Sequence, residues 1–362
     1  MIHTICHLIA SRDHGRLEKH VADLSRWQAH HSGAQVAVIA HPRFQNTLDP
    51  AVQFLALNTD HSRHHANLVW RLANQIRTGA FQVVHGHGSK SAQLLAAVQP
   101  YTDSLQVITR HNVRHPRDKL ASAFDARIAV SRAAVANSRL NWDIIPSGID
   151  MLPVAAQPRA INRTPVIAAP ARLVKTAHMD TVIGAMAALP DARLQVVGDG
   201  PERSRLEALS RQLQLQQRVE FTGEISAAQQ RTLLCSADLM VSCAQTDGAS
   251  YRVIEALLNR CPVVSSRHGD TDDYLPAPYL LDTATPESLV QRLNTALSDR
   301  PRLQREFAPV FDRAAGELTL ERMGSNTWQV YLALAAQYPS AVMPASRSPR
   351  TAPEFAPPSP RD

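Results

Sequence analysis

Short apolar runs alternate with amphipathic helical runs along this chain, and the alternation sets the fold class before any single residue is weighed. Residues 2–10, 35–40, 54–57, 83–85, 105–109, 126–130 and 142–145 read as strands, with helices at 17–30, 67–78 and 91–98. Strands that alternate with helices form βαβ crossovers, and these build parallel sheets. The pattern stops at residues 153–164, where Pro153 and Pro158 stand, and then restarts. Strands are expected at 166–169, 193–197, 219–221 and 239–243, and helices at 179–189, 202–213 and 227–236. The expected class is therefore α/β, with two doubly wound, Rossmann-like parallel-sheet domains and a cleft between them. A chain of 362 residues supports this, because one hydrophobic core stops growing at about 250–300 residues. The domains read as 1–152 and 165–338, joined by a linker at 153–164, with a late helix at 318–337. Residues 339–362, rich in Pro, Ser and Arg, read as a disordered tail.

The charge pattern narrows the partners. The net charge is +6, but the arginines are dispersed and no lysine-rich run concentrates them. This argues against a nucleic-acid patch and fits a basic cleft for phosphate, or contact with an anionic lipid surface. Cys6, Cys235, Cys243 and Cys261 sit in apolar runs without paired spacing, as buried thiols of a reducing compartment do. The first fifteen residues have too short an apolar stretch for a signal peptide, and no run nears the roughly 20 residues of a membrane span. A cytoplasmic protein, peripheral at the inner face of the membrane, is expected.

The most informative segment is 238–266: a buried strand, a polar loop, a helix and a second buried strand. Such a loop opens at the carboxyl edge of a sheet, where α/β proteins bind ligands. The helix start offers unpaired N–H groups to an anion such as a diphosphate. Asp247 stands in the loop and Glu255 on the helix, too far along to be a cap. A carboxylate there can accept hydrogen bonds from ligand hydroxyls, and the whole suits a sugar nucleotide.

Ordered motifs then bring in a resemblance. Val196-Val197-Gly198-Asp199-Gly200-Pro201, Val219-Glu220-Phe221-Thr222-Gly223 and the 238–266 segment follow one another. Ahead of them stand Gly15-Arg16-Leu17-Glu18-Lys19-His20-Val21, Ile128-Ala129-Val130-Ser131 and Ile145-Pro146-Ser147-Gly148-Ile149-Asp150. In this order the set resembles glycosyltransferase family 4, the group 1 glycosyltransferases of GT-B fold. The resemblance implies a retaining, metal-independent enzyme, with no cofactor, that moves a sugar from a UDP-, GDP- or ADP-linked donor to a glycan or lipid-linked acceptor. Relatives of this kind build lipopolysaccharide or other surface polysaccharide.

The resemblance also implies roles. Glu255 would hold the donor ribose, and Asp247 would lie near the reacting sugar carbon, one methylene shorter than the family's usual glutamate. A turn aspartate beside Gly248 is the competing reading. Ala249-Ser250-Tyr251 replaces the usual aromatic after that glycine. Arg172 would bind the diphosphate. The family's lysine position is held by Ala177, and Lys175 either substitutes for it or is a surface residue. Gly198 and Gly200 would line the nucleotide, with Gly248, Val253 and Ile254 on the donor side. Gly15 would let the loop approach phosphate or acceptor, with Arg16 either adding a phosphate contact or facing solvent. His111 would sit near the donor sugar as a catalytic group. His85 and His87 form an H-x-H pair with no third ligand nearby in sequence, so a turn at the cleft rim is the simpler reading and no metal is expected. The departures at Asp247, Ala177 and Arg16 also fit a catalytically weakened subunit that binds nucleotide sugar and supports a partner transferase.

Overall fold

The structure, a computed structural model, describes residues 2–11, 15–112, 117–156, 161–244 and 251–339. Its first sheet has seven parallel strands: β1 (Thr4–Ile9), β2 (Gln35–Ala40), β3 (Gln53–Ala56), β4 (Val83–His87), β5 (Leu105–Arg110), β6 (Ala126–Ala129) and β7 (Asp143–Ile144). They lie in the order β3-β2-β1-β4-β5-β6-β7. The second sheet has six: β8 (Val166–Pro170), β9 (Arg193–Val197), β10 (Val219–Gly223), β11 (Leu239–Ser242), β12 (Val263–Ser266) and β13 (Leu280–Leu281). Their order is β10-β9-β8-β11-β12-β13. In both sheets the chain winds outward from a central strand in two directions, which opens a crevice at the carboxyl ends.

The helices are α1 (Arg16–His31), α2 (Ala66–Thr78), α3 (Gly88–Val98), α4 (Asp118–Ala121), α5 (Arg132–Val135), α6 (Met179–Ala185), α7 (Arg203–Gln212), α8 (Ala227–Ser236), α9 (Tyr251–Leu258), α10 (Thr271–Tyr274), α11 (Pro286–Ser298), α12 (Arg300–Glu317) and α13 (Leu320–Gln337). Several begin where the sequence supplies a cap. Ser131 accepts from the Ala134 N–H, and Ser226 and Thr285 form capping boxes with Gln229 and Ser288. β4 and β5 are buried along their whole length, as parallel strands covered by helices on both faces must be. Among the described residues no helix is long and apolar enough to cross a membrane.

The late helix changes the domain picture read from the sequence. α13 follows the second domain in the chain but packs on the first. Leu320, Met323, Tyr331 and Leu334 share a core with Ile2, Ile5, Leu24, Val83 and Val107. Trp27 of α1 donates its indole N–H to Glu321 at 2.6 Å and lies against Gly324, where a Cβ would overlap its ring. Apolar periodicity shows that a helix is buried, not against what. The chain therefore crosses between domains twice, at residues 149 and 319, and the two crossings pair. The Ile149 N–H donates to Leu318 O at 3.1 Å and the Leu320 N–H to Ile149 O at 2.9 Å. The tail at 340–362 and the linker residues 157–160 lie outside the described residues.

Gly324→Leu should force α13 off Trp27 and cost about 1–3 kcal/mol, the usual range for overpacking. A lowered thermal midpoint by calorimetry is expected, and an unchanged midpoint would mean that α13 does not pack there.

Candidate functional site

On the second-domain side of the cleft, the loops after β8 and β9 lie on one another. The Ala171 N–H donates to Val197 O at 2.8 Å and the Leu173 N–H to Asp199 O at 2.9 Å. A Cβ at Gly198 would collide with the Ala171 carbonyl, and one at Gly200 with the Leu173 carbonyl. Gly198 also has φ +117, a region open to glycine and costly for other residues. Both glycines are thus demanded by loop-on-loop packing, and that packing carries Arg172 and Lys175 outward. Both side chains are exposed. Lys175 starts a single 3₁₀ turn, Lys175–Ala177, which ends at left-handed His178, and it lies three residues from Arg172 in the same loop.

Asp247 and Gly248 lie outside the described residues. The helix that follows them, α9, is described throughout. Glu255 is half-buried and accepts a hydrogen bond from the Gln230 side-chain amide of α8. Burial raises its pKa above the ordinary value of 4.5, while Gln230, Arg252 and Lys19 pull it down. Val253 and Ile254 point into the second-domain core, 3% and 2% exposed. Their side chains are packing groups, so any part they take on the donor side falls to their backbone. Arg252 is half-buried, and desolvation lowers its pKa against the pull of Glu255.

The start of α9 meets the start of α1 across the cleft. The Tyr251 hydroxyl donates to Arg16 O at 3.3 Å, and the Lys19 ammonium lies 5.5 Å from the Tyr251 ring centroid. Gly15 precedes α1 with φ −156, an extended conformation that any residue adopts. The closest neighbour of a Cβ there is the Glu18 carboxylate at 3.2 Å, so the constraint at Gly15 is local space. Arg16 and Lys19 on α1 and Arg252 on α9 thus put positive charge around the first turn of a 16-residue helix, whose free N–H groups favour an anion.

Beneath this lies a cluster of histidines. His111 follows β5, as expected at the cleft edge, and is half-buried. His85 and His87 are not a turn at the rim. They lie on β4, 0% and 2% exposed, with both side chains on one face as the strand period requires. The parallel register sets His7 of β1 opposite His85, and Thr109 of β5 opposite His87. His20 of α1 covers the group and packs edge-on to His111, with ring centroids 4.7 Å apart.

These rings form a chain. His7 Nε2 lies 2.7 Å from Gln28 Oε1, His7 Nδ1 3.0 Å from His87 Nε2, and His87 Nδ1 3.3 Å from His111 Nε2. His85 is tied to the Tyr331 hydroxyl at 2.5 Å and the Thr109 hydroxyl at 2.6 Å, and His20 Nδ1 to the Ser147 hydroxyl at 3.0 Å. Desolvation pushes His7 down to about 4 and His111 to about 3, and takes His20, His85 and His87 well below 6.5. All five are neutral at pH 7. With the Gln28 oxygen accepting from His7 Nε2, the protons along the chain are fixed. His7 Nδ1 is bare, so His87 Nε2 carries a proton and His87 Nδ1 is bare.

Sequence reading singled out Arg172, Lys175, Glu255 and His111. It gave no role to Lys19, Arg252, Gln230, His7, His20 or Ser147, which the fold brings beside them. A signal existed for two of them: His7 is a titratable residue within an apolar strand, and His20 falls in helical phase with Leu17, Val21, Leu24 and Trp27.

Comparison with known proteins places the chain among glycosyl transferase relatives. Residues 155–309 match the family described as Glycosyl transferases group 1. A GDP-mannose-dependent monoacylated alpha-(1-6)-phosphatidylinositol monomannoside mannosyltransferase of Corynebacterium glutamicum is 27% identical over 257 residues, 62% of this chain and 63% of that protein. A putative colanic acid biosynthesis glycosyltransferase, WcaL of Escherichia coli, is 26% identical over 253 residues, 66% of this chain and 59% of that protein. The chain thus spans little more than half of these curated relatives. Among solved structures, Anabaena Alr3699/HepE in complex with UDP superposes with a TM-score of 0.75 at 17% identity, over 91% of this chain and 100% of that one. The likeness shows the shared two-domain fold expected from the motifs.

Because the folded-state pKa of Glu255 is raised, the ionised carboxylate is a cost to the fold. Its stabilising contribution is full below about 4.5 and is lost as pH rises through the raised value. Glu255→Gln should therefore raise the stability of the ligand-free protein more at pH 7 than at pH 4. Urea midpoints at the two pH values measure this, and equal effects would contradict the burial of the charge.

Proposed function

We propose that this chain, whose second domain carries the group 1 glycosyl transferase match, moves a sugar from a nucleotide-sugar donor to a glycan or lipid-linked acceptor. One observation carries the reading: Glu255 is held half-buried by Gln230 on a helix whose start, at Tyr251, meets Arg16 of the other domain. A carboxylate kept against its desolvation cost is compensated when ligand hydroxyls donate to it, as a ribose does. Arg172 and Lys175 are the cations on the β8 loop for the diphosphate, and the α1 start adds charge from the facing domain. Positive groups fixed around a leaving diphosphate stabilise the charge that develops as the glycosidic bond breaks, which is the largest electrostatic demand of this reaction.

In this reading the transfer retains the anomeric configuration and needs no metal on the diphosphate, because side chains supply the countercharge. Asp247 is the carboxylate assigned to the reacting sugar carbon, and neutral His111 holds the sugar from the first domain. The acceptor occupies the first-domain side of the cleft, and domain closure excludes water that would hydrolyse the donor. The relatives named for phosphatidylinositol mannosides and colanic acid favour an acceptor at a membrane surface or in a surface polysaccharide. The net charge of +6 suits a peripheral stay on anionic lipid at the inner face of the membrane.

Turnover of UDP-, GDP- and ADP-linked sugars by the full chain, followed as release of nucleoside diphosphate, tests the proposal. One donor class should be consumed. Arg172→Ala and Glu255→Ala should each lower kcat/KM by about 10–100-fold, the equivalent of roughly 1.5–3 kcal/mol for a hydrogen bond to a charged group. Asp247→Ala should depress kcat while leaving donor binding. Donor binding without turnover would assign the chain instead to a supporting subunit, and neither binding nor turnover would reject the reading.

A further inference from the structure

We propose that His20, His87 and His111 form a binding site for a divalent transition-metal ion of the zinc class, at the first-domain edge of the cleft. One ring nitrogen from each of the three lies within 4.8 Å of the others. Three elements that meet only in the fold supply them, namely α1, β4 and the end of β5. This is why an H-x-H pair in the sequence lacked a third ligand.

The outer shell is the strongest argument. Gln28, His7 and His87 form a chain that leaves His87 Nδ1 without a proton and aims it at His111 Nε2. Imidazole ligands in metal sites are held in the same way, with the far nitrogen engaged by a hydrogen-bonding partner that fixes the tautomer. Ser147 plays that part for His20. The His87–His111 separation of 3.3 Å is long for a hydrogen bond. It equals the N···N edge of about 3.3 Å in a tetrahedron with metal–nitrogen bonds of about 2.0–2.1 Å. The ion would replace that hydrogen bond, with His111 moving its proton from Nε2 to Nδ1.

A second trio, His7, His85 and His87, also lies within 4.8 Å. It is a poorer site, because both nitrogens of His85 are already held by Tyr331 and Thr109. In the outer trio His111 is half-buried, at the edge of the cluster. The donor set is neutral nitrogen with no carboxylate, so it selects zinc, cobalt, nickel or copper over magnesium and calcium. The ion is accordingly no counter-ion for a diphosphate, and its binding does not depend on the transferase reading.

Cobalt(II) titration of the chelator-treated full chain, read by visible absorption, tests the site without any donor. One equivalent should bind with the intense bands of four-coordinate cobalt, and zinc should displace it. His87→Gln or His111→Ala should weaken binding by at least 100-fold, and Gln28→Leu by about 10–100-fold through the outer shell. His64→Ala with His65→Ala, on the exposed surface, should change nothing. Circular dichroism identifies any variant that fails to fold, and His111→Ala, at the edge of the cluster, is the variant least exposed to that outcome. No four-coordinate spectrum, or binding unaltered in folded His111→Ala, would overturn the proposal and leave the histidines as a hydrogen-bonded chain.

Discussion

The two domain crossings are joined backbone to backbone, and the rest of the arrangement follows from that join. Ile149 pairs with Leu318 and Leu320 at 3.1 and 2.9 Å, and a Cβ on the neighbouring Gly148 would occupy the space of the Thr319 carbonyl. Glycine is what lets the two strands of connection touch. Two crossings held together act as one short axis, whereas a single linker would leave the orientation of the domains open. The axis lies at the back of the cleft, so the facing ends of α1 and α9 meet at a fixed place. A second tie, from Asp273 of α10 to the Arg132 N–H at 2.8 Å, steadies the same side. Cations from one domain and a carboxylate from the other are brought together by this join.

Much of this was legible because parallel strands buried on both faces leave a strong trace. The runs 35–40, 193–197 and 227–236 appear with the boundaries read from the sequence. α12 was not legible for a local reason. Pro301 stands at its start and Pro309 inside it, where it removes a backbone donor, while Asp299 caps the helix through the Arg302 N–H and Leu303, Phe307 and Phe311 bury its apolar face. Glu255 and Arg172 could be singled out because their spacing within ordered motifs is a property of the chain. Arg252, Lys19 and Gln230 matter only through neighbours on other elements, and no spacing encodes that. Val253 and Ile254, next to Glu255 in sequence, turn their side chains into the second-domain core.

The histidines show how the two cores differ. The second-domain sheet packs aliphatic side chains such as Ile167, Leu194, Met240 and Val264 into its core. The first-domain core carries four buried imidazoles, His7, His20, His85 and His87, and must satisfy each of them internally. It does so with hydroxyls and an amide drawn from distant positions: Thr109, Ser147, Tyr331 and Gln28. Neutral rings make this affordable, since a charged imidazolium in the same place would need an anion that the described core does not provide. The Gln28 side chain also interacts with the Tyr331 hydroxyl, which ties the inner end of the chain to α13. The outer end of the network is His111.

The position of Tyr331 has a consequence for biosynthesis. It is fully buried in the first-domain core, between His85 and the residues of α1, although it is among the last described residues to leave the ribosome. The second domain, by contrast, is contiguous from β8 to α12. Domains commonly fold in the order they are made. Here the amino-terminal sheet stays incomplete until the final helix emerges, so the later half can reach its native state first and the earlier half must wait for it. Contacts of such long sequence separation are slow to form. During that interval the apolar groove meant for α13 is open, which makes the nascent first domain the part of this protein most exposed to chaperones and to aggregation.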